Sequence, residues 1–151
     1  MPNVIGKATA LFERIPGDLI AIAARVGIAT TFFRAGLLKL HGWSNGNTLA
    51  LFTDEYRLPV IPPEAAAYLA TAAELSMPVL ILAGFFTRFA ALALLCMTAV
   101  IELFVYPNAF DTHGVWAAGL LYLIKYGPGY LSLDNLVPSL RGGIEQKFNA
   151  E

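Results

Sequence analysis

Three long apolar runs constrain this chain more than any other feature. Residues 18–40, 63–85 and 88–106 each have the length of a membrane-crossing helix, because about 20 helical residues span the roughly 30 Å of a bilayer's hydrocarbon. A fourth run, Gly114 to Tyr126, is shorter and stops at Gly127-Pro128-Gly129, through which no helix continues. By itself it has the length of a re-entrant piece; extended back through Asn108 to His113 it becomes a span over 110–126. Composition agrees with a membrane class: 57% of the residues are hydrophobic, 14% are charged and the mean hydropathy is +0.62. Soluble domains carry more charge and less apolar content.

Ahead of the first run, Val4, Ile5, Ala8, Leu11, Phe12 and Ile15 recur at helical spacing, with Lys7 and Arg14 elsewhere on the wheel, until Pro16-Gly17. Such a segment is expected to lie on the membrane surface. A cleaved signal peptide fits less well, since the first long run carries Arg25 and Arg34 and lacks a small-residue cleavage site. The expected fold is therefore an all-α membrane protein. It is a four-transmembrane-helix bundle over 18–137, with a short N-terminal amphipathic interfacial helix in 1–17 and a cytoplasmic tail in 138–151.

Lys and Arg concentrate on the cytoplasmic side of membrane proteins. With four spans, Lys7, Arg14, Arg88, Lys125, Arg141 and Lys147 fall on one side and only Lys39 and Arg57 on the other. Both termini are then cytoplasmic. The loop from His41 to Pro62 is extracytoplasmic and reads as a solvated turn structure. The near balance of 10 Lys+Arg and 11 Asp+Glu excludes the basic footprint of a nucleic-acid binder. The single Cys96 excludes an internal disulfide and every multi-cysteine metal site.

Charges at bilayer depth are costly, about 2.5–3.5 kcal/mol on insertion scales, and normally face a partner or a wet cavity. Arg25 and Arg34 lie in the first run, Glu74 in the second and Glu102 in the third. At about 1.5 Å rise per residue, Arg25 and Glu74 sit roughly 10 and 16 Å from one membrane face, Arg34 and Glu102 roughly 24 and 21 Å. Depth therefore predicts the pairs Arg25 with Glu74 and Arg34 with Glu102. The helical wheel places Asp18, Arg25, Phe32, Gly36 and Lys39 on one face and Arg34 opposite Arg25, so the first helix either touches two neighbours or offers one face to another protein. Pro78, four residues after Glu74, removes the hydrogen bond that the Glu74 carbonyl would accept. Broken backbone at that depth is tolerated only against protein or water.

Other candidates are weaker. His41 and His113 sit at helix ends; water-facing interface histidines are expected, with a bis-His haem or a boundary metal or proton site beside Asp111 as lesser alternatives. Trp43, Trp116, Tyr56, Tyr106, Tyr126 and Tyr130 read as an aromatic belt, and Cys96, among Leu94, Leu95 and Met97, as an inert packing thiol. No metal-binding motif is present, and no Gly-rich phosphate cradle or Ser–His–Asp set.

Taken together, Arg25-Val-Gly27, Gly36-Leu-Leu-Lys39-Leu40, Glu74, Leu80-Ile-Leu-Ala-Gly84-Phe-Phe-Thr87-Arg88 and Gly127-Pro-Gly-Tyr-Leu-Ser132-Leu-Asp134 resemble the DoxX family of small four-helix bacterial membrane proteins. The resemblance runs from about Ile20 to Asp134, with Tyr130 where the family pattern has a basic residue. It implies Arg25, Lys39, Glu74 and Arg88 as family-typical polar positions. It also implies association with redox systems, since some members resemble the membrane subunit of thiosulfate:quinone oxidoreductase and others accompany membrane redox-defence complexes. These side chains carry no electrons, so a redox role calls for a quinone, another cofactor or a partner subunit.

The expected function is the membrane subunit or partner of an oxidoreductase system, binding a quinone-like ligand near Arg25 and Glu74. Glu74 and Arg25 are the candidate catalytic pair, with Arg34, Lys39, Glu102 and His113 as candidate ligand-binding residues. Lipid, further subunits of a redox complex and a second copy of the chain are the expected partners. A non-enzymatic scaffold whose ion pairs only specify the bundle, or a small proton-coupled transporter, uses the same charges differently.

Overall fold

A computed structural model describes residues 4–136. The described residues are helical, with no strand among them. Helix α1 covers Val4–Phe12 and α2 covers Gly17–Trp43. A short helix α3, Asn47–Ala50, runs into a π-helical turn, Leu51–Tyr56. Helix α4 covers Pro63–Ala83 and α5 covers Thr87–Val100, which continues as a second π-helical turn, Ile101–Val105. Helix α6 covers Phe110–Tyr126, and a 3-10 turn follows at Leu133–Leu136.

Gly17–Trp43, Pro63–Ala83 and Thr87–Val105 are long and apolar enough to cross a membrane, which together with their sequence character makes this a multi-pass membrane protein. Helix α6, at 17 residues, is shorter than these. Within the bundle, α2 packs on both α4 and α6, α4 on α5, and α5 on α6. The core joins Ile28, Ala29 and Phe32 of α2 to Ile81 of α4, Ala90, Ala91 and Leu94 of α5 and Leu120 and Leu123 of α6. The outward faces keep large apolar residues exposed, among them Leu38, Leu69, Phe89 and Leu103. In lipid that costs nothing, because hydrocarbon is as apolar as leucine.

The α2–α4 seam is close because of Gly36. A Cβ at that position would stand 2.9 Å from the backbone carbonyl carbon of Glu74 and 3.0 Å from its Cβ, so only glycine lets the two backbones approach at this level.

Three sequence expectations are corrected here. Between α2 and α4 the chain is not only solvated turns: Asn47–Tyr56 is helical and buries Phe52 against Ala66 and Ala67 of α4, because the short run Leu49 to Phe52 supplies an apolar face. Trp116 does not stand free at a helix end. It packs on the core, edge-on to Phe32 at 5.3 Å between ring centroids. Cys96 is exposed on the outer face of α5 and is not packed inside the bundle. The surface segment expected over 1–17 includes residues 1–3, and the tail expected over 138–151 supplies Arg141 and Lys147 to the charge pattern; both stretches lie outside the described residues.

Candidate functional site

The buried charges separate into two layers, and the expected pairs do not form. Arg25, 7% exposed, is satisfied by backbone. Its Nε donates to the Ile81 carbonyl at 2.9 Å, Nη1 to those of Leu131 at 2.7 Å and Pro128 at 3.2 Å, and Nη2 to that of Leu82. Ile81 and Leu82 belong to the last turn of α4, where carbonyls lack helical partners and a cation complements the helix dipole. Arg25 therefore closes the C-terminus of α4 and pins the Gly127–Leu131 loop over it.

The same end carries two carboxylate caps. Asp134 accepts from the N–H groups of Phe86 at 2.8 Å and Thr87 at 3.1 Å, and so holds Phe86 in its left-handed conformation, φ 47°, at the start of α5. Asp18 Oδ1 accepts from the Tyr130 N–H at 2.7 Å. A Cβ on Gly129, whose φ is +83°, would stand 2.7 Å from that same oxygen, so the glycine is needed both for its backbone and for the close approach. Arg88 Nε donates to the Ile124 carbonyl at 3.2 Å.

In the second layer, between the middle of the bundle and its opposite end, Glu74 is 3% exposed and its two oxygens accept from Lys39 Nζ at 2.8 and 2.7 Å. Lys39 therefore holds Glu74 in place of the expected Arg25. The reason is directional. Helical Cα–Cβ bonds lean toward the N-terminus of their own helix. Helices α2 and α4 run in opposite directions, so Arg25 leans toward the C-terminal end of α4, away from Glu74, while Lys39 and Glu74 lean toward each other. Counting depth along Cα positions misses this.

Glu102 likewise meets His113 and not Arg34: His113 Nδ1 lies 2.5 Å from Glu102 Oε2. His113 is 6% exposed and its ring sits 5.0 Å from that of Trp116, so it is a buried partner and not a water-facing interface histidine. His41 is exposed, as expected. Arg34 is exposed on the outer surface, as its position opposite Arg25 on the wheel requires. Among the described residues no group of three or more His, Cys, Asp or Glu is placed to hold a metal ion.

The surroundings of Glu74 include groups that sequence reading did not single out. Trp43 Nε1 donates to Thr71 Oγ1 at 3.3 Å, one turn before Glu74, and Thr48 Oγ1 donates to the Lys39 carbonyl at 2.6 Å. The two π-helical turns pack against each other at this end. They bring together Tyr56, whose ring is edge-on to that of Tyr106 at 5.8 Å, and Glu55, which accepts from the Tyr106 hydroxyl. Tyr56 is within electrostatic range of Glu74, and burial foremost pushes its phenol above the ordinary value. The Tyr106 phenol is pushed up as well, first by its hydrogen bond to Glu55. The pairing of π turns with titratable residues was visible in sequence only as an acid and a tyrosine at 55–56 and an acid at 102.

The DoxX family model matches residues 20–107, a stretch that holds Arg25, Lys39, Glu74, Arg88 and Glu102 and ends before the Gly127–Asp134 loop. An uncharacterized protein of Haemophilus influenzae is 32% identical over 135 residues, covering 83% of this chain and 87% of that protein. No solved structure matches. The family match extends over more than half of the chain and includes Arg25 and the Lys39–Glu74 pair: the protein belongs to the DoxX family.

Proposed function

We propose that this DoxX-family protein is the membrane partner of an oxidoreductase system and binds a quinone-like amphiphile at the Lys39–Glu74 layer. In this reading α6 is a fourth span, both termini face the cytoplasm of a bacterial inner membrane, and α1 lies on the membrane surface, where its exposed Leu11 and Phe12 face lipid. The observation that carries the reading is a carboxylate 3% exposed in the middle of α4, held by one ammonium and lying one turn before Pro78. A buried ionisable pair inside a membrane is expensive unless it is used or fully satisfied. π-Helical turns recur at functional sites, and one of them, Leu51–Tyr56, packs on α4 and brings Tyr56 within electrostatic range of Glu74.

The donor set suits a quinone, which presents carbonyl oxygens when oxidised and hydroxyls when reduced. A bound quinone supplies two-electron chemistry, with its electrons coming from a partner subunit. Lys39 donates a hydrogen bond to a ligand oxygen and Glu74 exchanges the proton. In this reading the proton leaves toward the cluster of Tyr56, Tyr106 and Glu55 at that end of the bundle. Arg25 is a positioning residue here, because its donors are occupied by four carbonyls. Glu102 and His113 form a second polar pair at the same end, which would tune the site without touching the ligand.

The test is purification in mild detergent followed by mass spectrometry of extracted quinones and co-purifying subunits. A quinone retained by the wild type and lost in Glu74→Gln, with helix content unchanged, is the expected result. Equal retention in Glu74→Gln contradicts the assignment. A preparation that carries partner subunits but no quinone favours the scaffold reading, in which the buried pairs only specify the bundle.

A further inference from the structure

We propose that the groove between α2 and α4 on the outer surface is a binding site for an anionic lipid, with Arg34 holding the head group. Thr30 and Phe33 of α2 and Pro78, Val79 and Leu82 of α4 line a groove of about 210 Å³ that ends at Arg34. Apart from Arg34 and the Thr30 hydroxyl these side chains are apolar, as an acyl chain requires. Arg34 is exposed, lies within a membrane-crossing helix, and makes no hydrogen bond or ion pair with the described residues. An unpaired arginine that reaches the interface from an apolar groove attracts an anionic head group, and its planar fork of donors suits phosphate or carboxylate.

Helix geometry orients the occupant. Arg34 precedes the end of α2 at Trp43 by nine residues, about 13 Å of rise. The 27 residues of α2 span about 40 Å, some 10 Å more than the hydrocarbon is thick. Arg34 thus lies within a side chain's reach of the interface on the Lys39 side. Thr30 and Phe33 precede it on α2, and Pro78, Val79 and Leu82 follow Glu74 on the antiparallel α4, so the groove runs from Arg34 toward the Arg25 end. A lipid of the Lys39-side leaflet fits this polarity, with its head at Arg34 and one chain lying inward.

A second copy of the chain fits less well. Glu74 and Glu102, the two carboxylates that come nearest Arg34 in depth, are engaged by Lys39 and His113, so a partner copy has neither of them to offer Arg34. This site is separate from the Lys39–Glu74 layer, and its test does not depend on quinone binding.

Native mass spectrometry of the full chain in detergent, titrated with phosphatidylglycerol and with phosphatidylcholine of the same acyl chains, reads the selectivity. Wild type is expected to prefer the anionic lipid roughly tenfold, as one charge-assisted contact allows. Arg34→Gln abolishes that preference, while Arg57→Gln, which alters an exposed loop arginine, keeps it. Leu82→Trp, which fills the groove and leaves the charge, weakens binding of both lipids. An unchanged preference in Arg34→Gln, or none in the wild type, overturns the proposal. So does conversion of a wild-type dimer to monomer by Arg34→Gln, which would make a second copy the occupant.

Discussion

The ammonium of Lys39 stands 2.8 and 2.7 Å from the two carboxylate oxygens of Glu74, and one turn before Lys39 on α2 a Cβ on Gly36 would stand 2.9 Å from the Glu74 carbonyl carbon. Removing one partner leaves the other as an uncompensated buried charge, which costs about 3–5 kcal/mol, whereas removing both charges is far milder. Lys39→Met and Glu74→Gln are each expected to lower the unfolding midpoint in detergent strongly. The double variant should recover most of the loss. A double variant as unstable as the sum of the singles would mean that the two groups act independently.

Gly36→Ala tests the seam that positions this pair. The new methyl would stand 2.9 Å from the Glu74 carbonyl carbon and 3.0 Å from Leu75 Cδ2, and backbone cannot step aside as a flexible side chain can. Overpacking of this kind costs about 1–3 kcal/mol. A thermal melt should show that loss, with a larger one in Gly36→Val. Melts equal to wild type would show that α2 and α4 do not approach so closely in the membrane.

Arg25 serves four carbonyls with a planar fork that lysine lacks. Arg25→Lys keeps the charge but strands at least one buried acceptor, at about 1–3 kcal/mol. The expected signature is faster limited proteolysis in the 127–134 loop, because that loop is pinned by the lost bonds. Quinone retention should persist in the folded fraction, since Arg25 is assigned to closing the bundle and not to the ligand.

Tyr56 and Tyr106 give the fold a dependence on alkaline pH. Both phenols are held above their ordinary value, Tyr56 chiefly by burial and Tyr106 chiefly by its bond to Glu55. A proton bound more tightly in the folded state stabilises fully below the unfolded phenol value of about 10 and is lost as pH rises past it. Stability should therefore hold level to about pH 9.5 and then fall. In an absorbance titration Tyr106 should ionise well above the ordinary phenol range, and Glu55→Gln should lower it.

Much of this arrangement is legible in the sequence. Apolar length marks the three long helices, Gly127-Pro128-Gly129 marks the end of α6, and the wheel places Arg34 opposite Arg25. The partners are less legible, because depth along a helix axis does not register the lean of side chains toward their own N-termini, which turns Lys39 and not Arg25 onto Glu74. The helical stretch Asn47–Tyr56 was hidden by its polar neighbours and by a π-helical turn, which has no simple periodicity. The closing loop was recognisable as a pattern, but its task, presenting carbonyls to Arg25 and the Asp134 carboxylate to α5, depends on contacts over a hundred residues apart and forty-seven apart.

The central claim is that the Lys39–Glu74 layer binds a quinone-like ligand. Isothermal titration of a water-soluble short-chain quinone into wild type and into Lys39→Met/Glu74→Gln, the variant expected to stay folded, tests it most directly. Saturable, stoichiometric binding to the wild type that disappears in the double variant is the predicted result, and binding of equal strength to both would contradict the account.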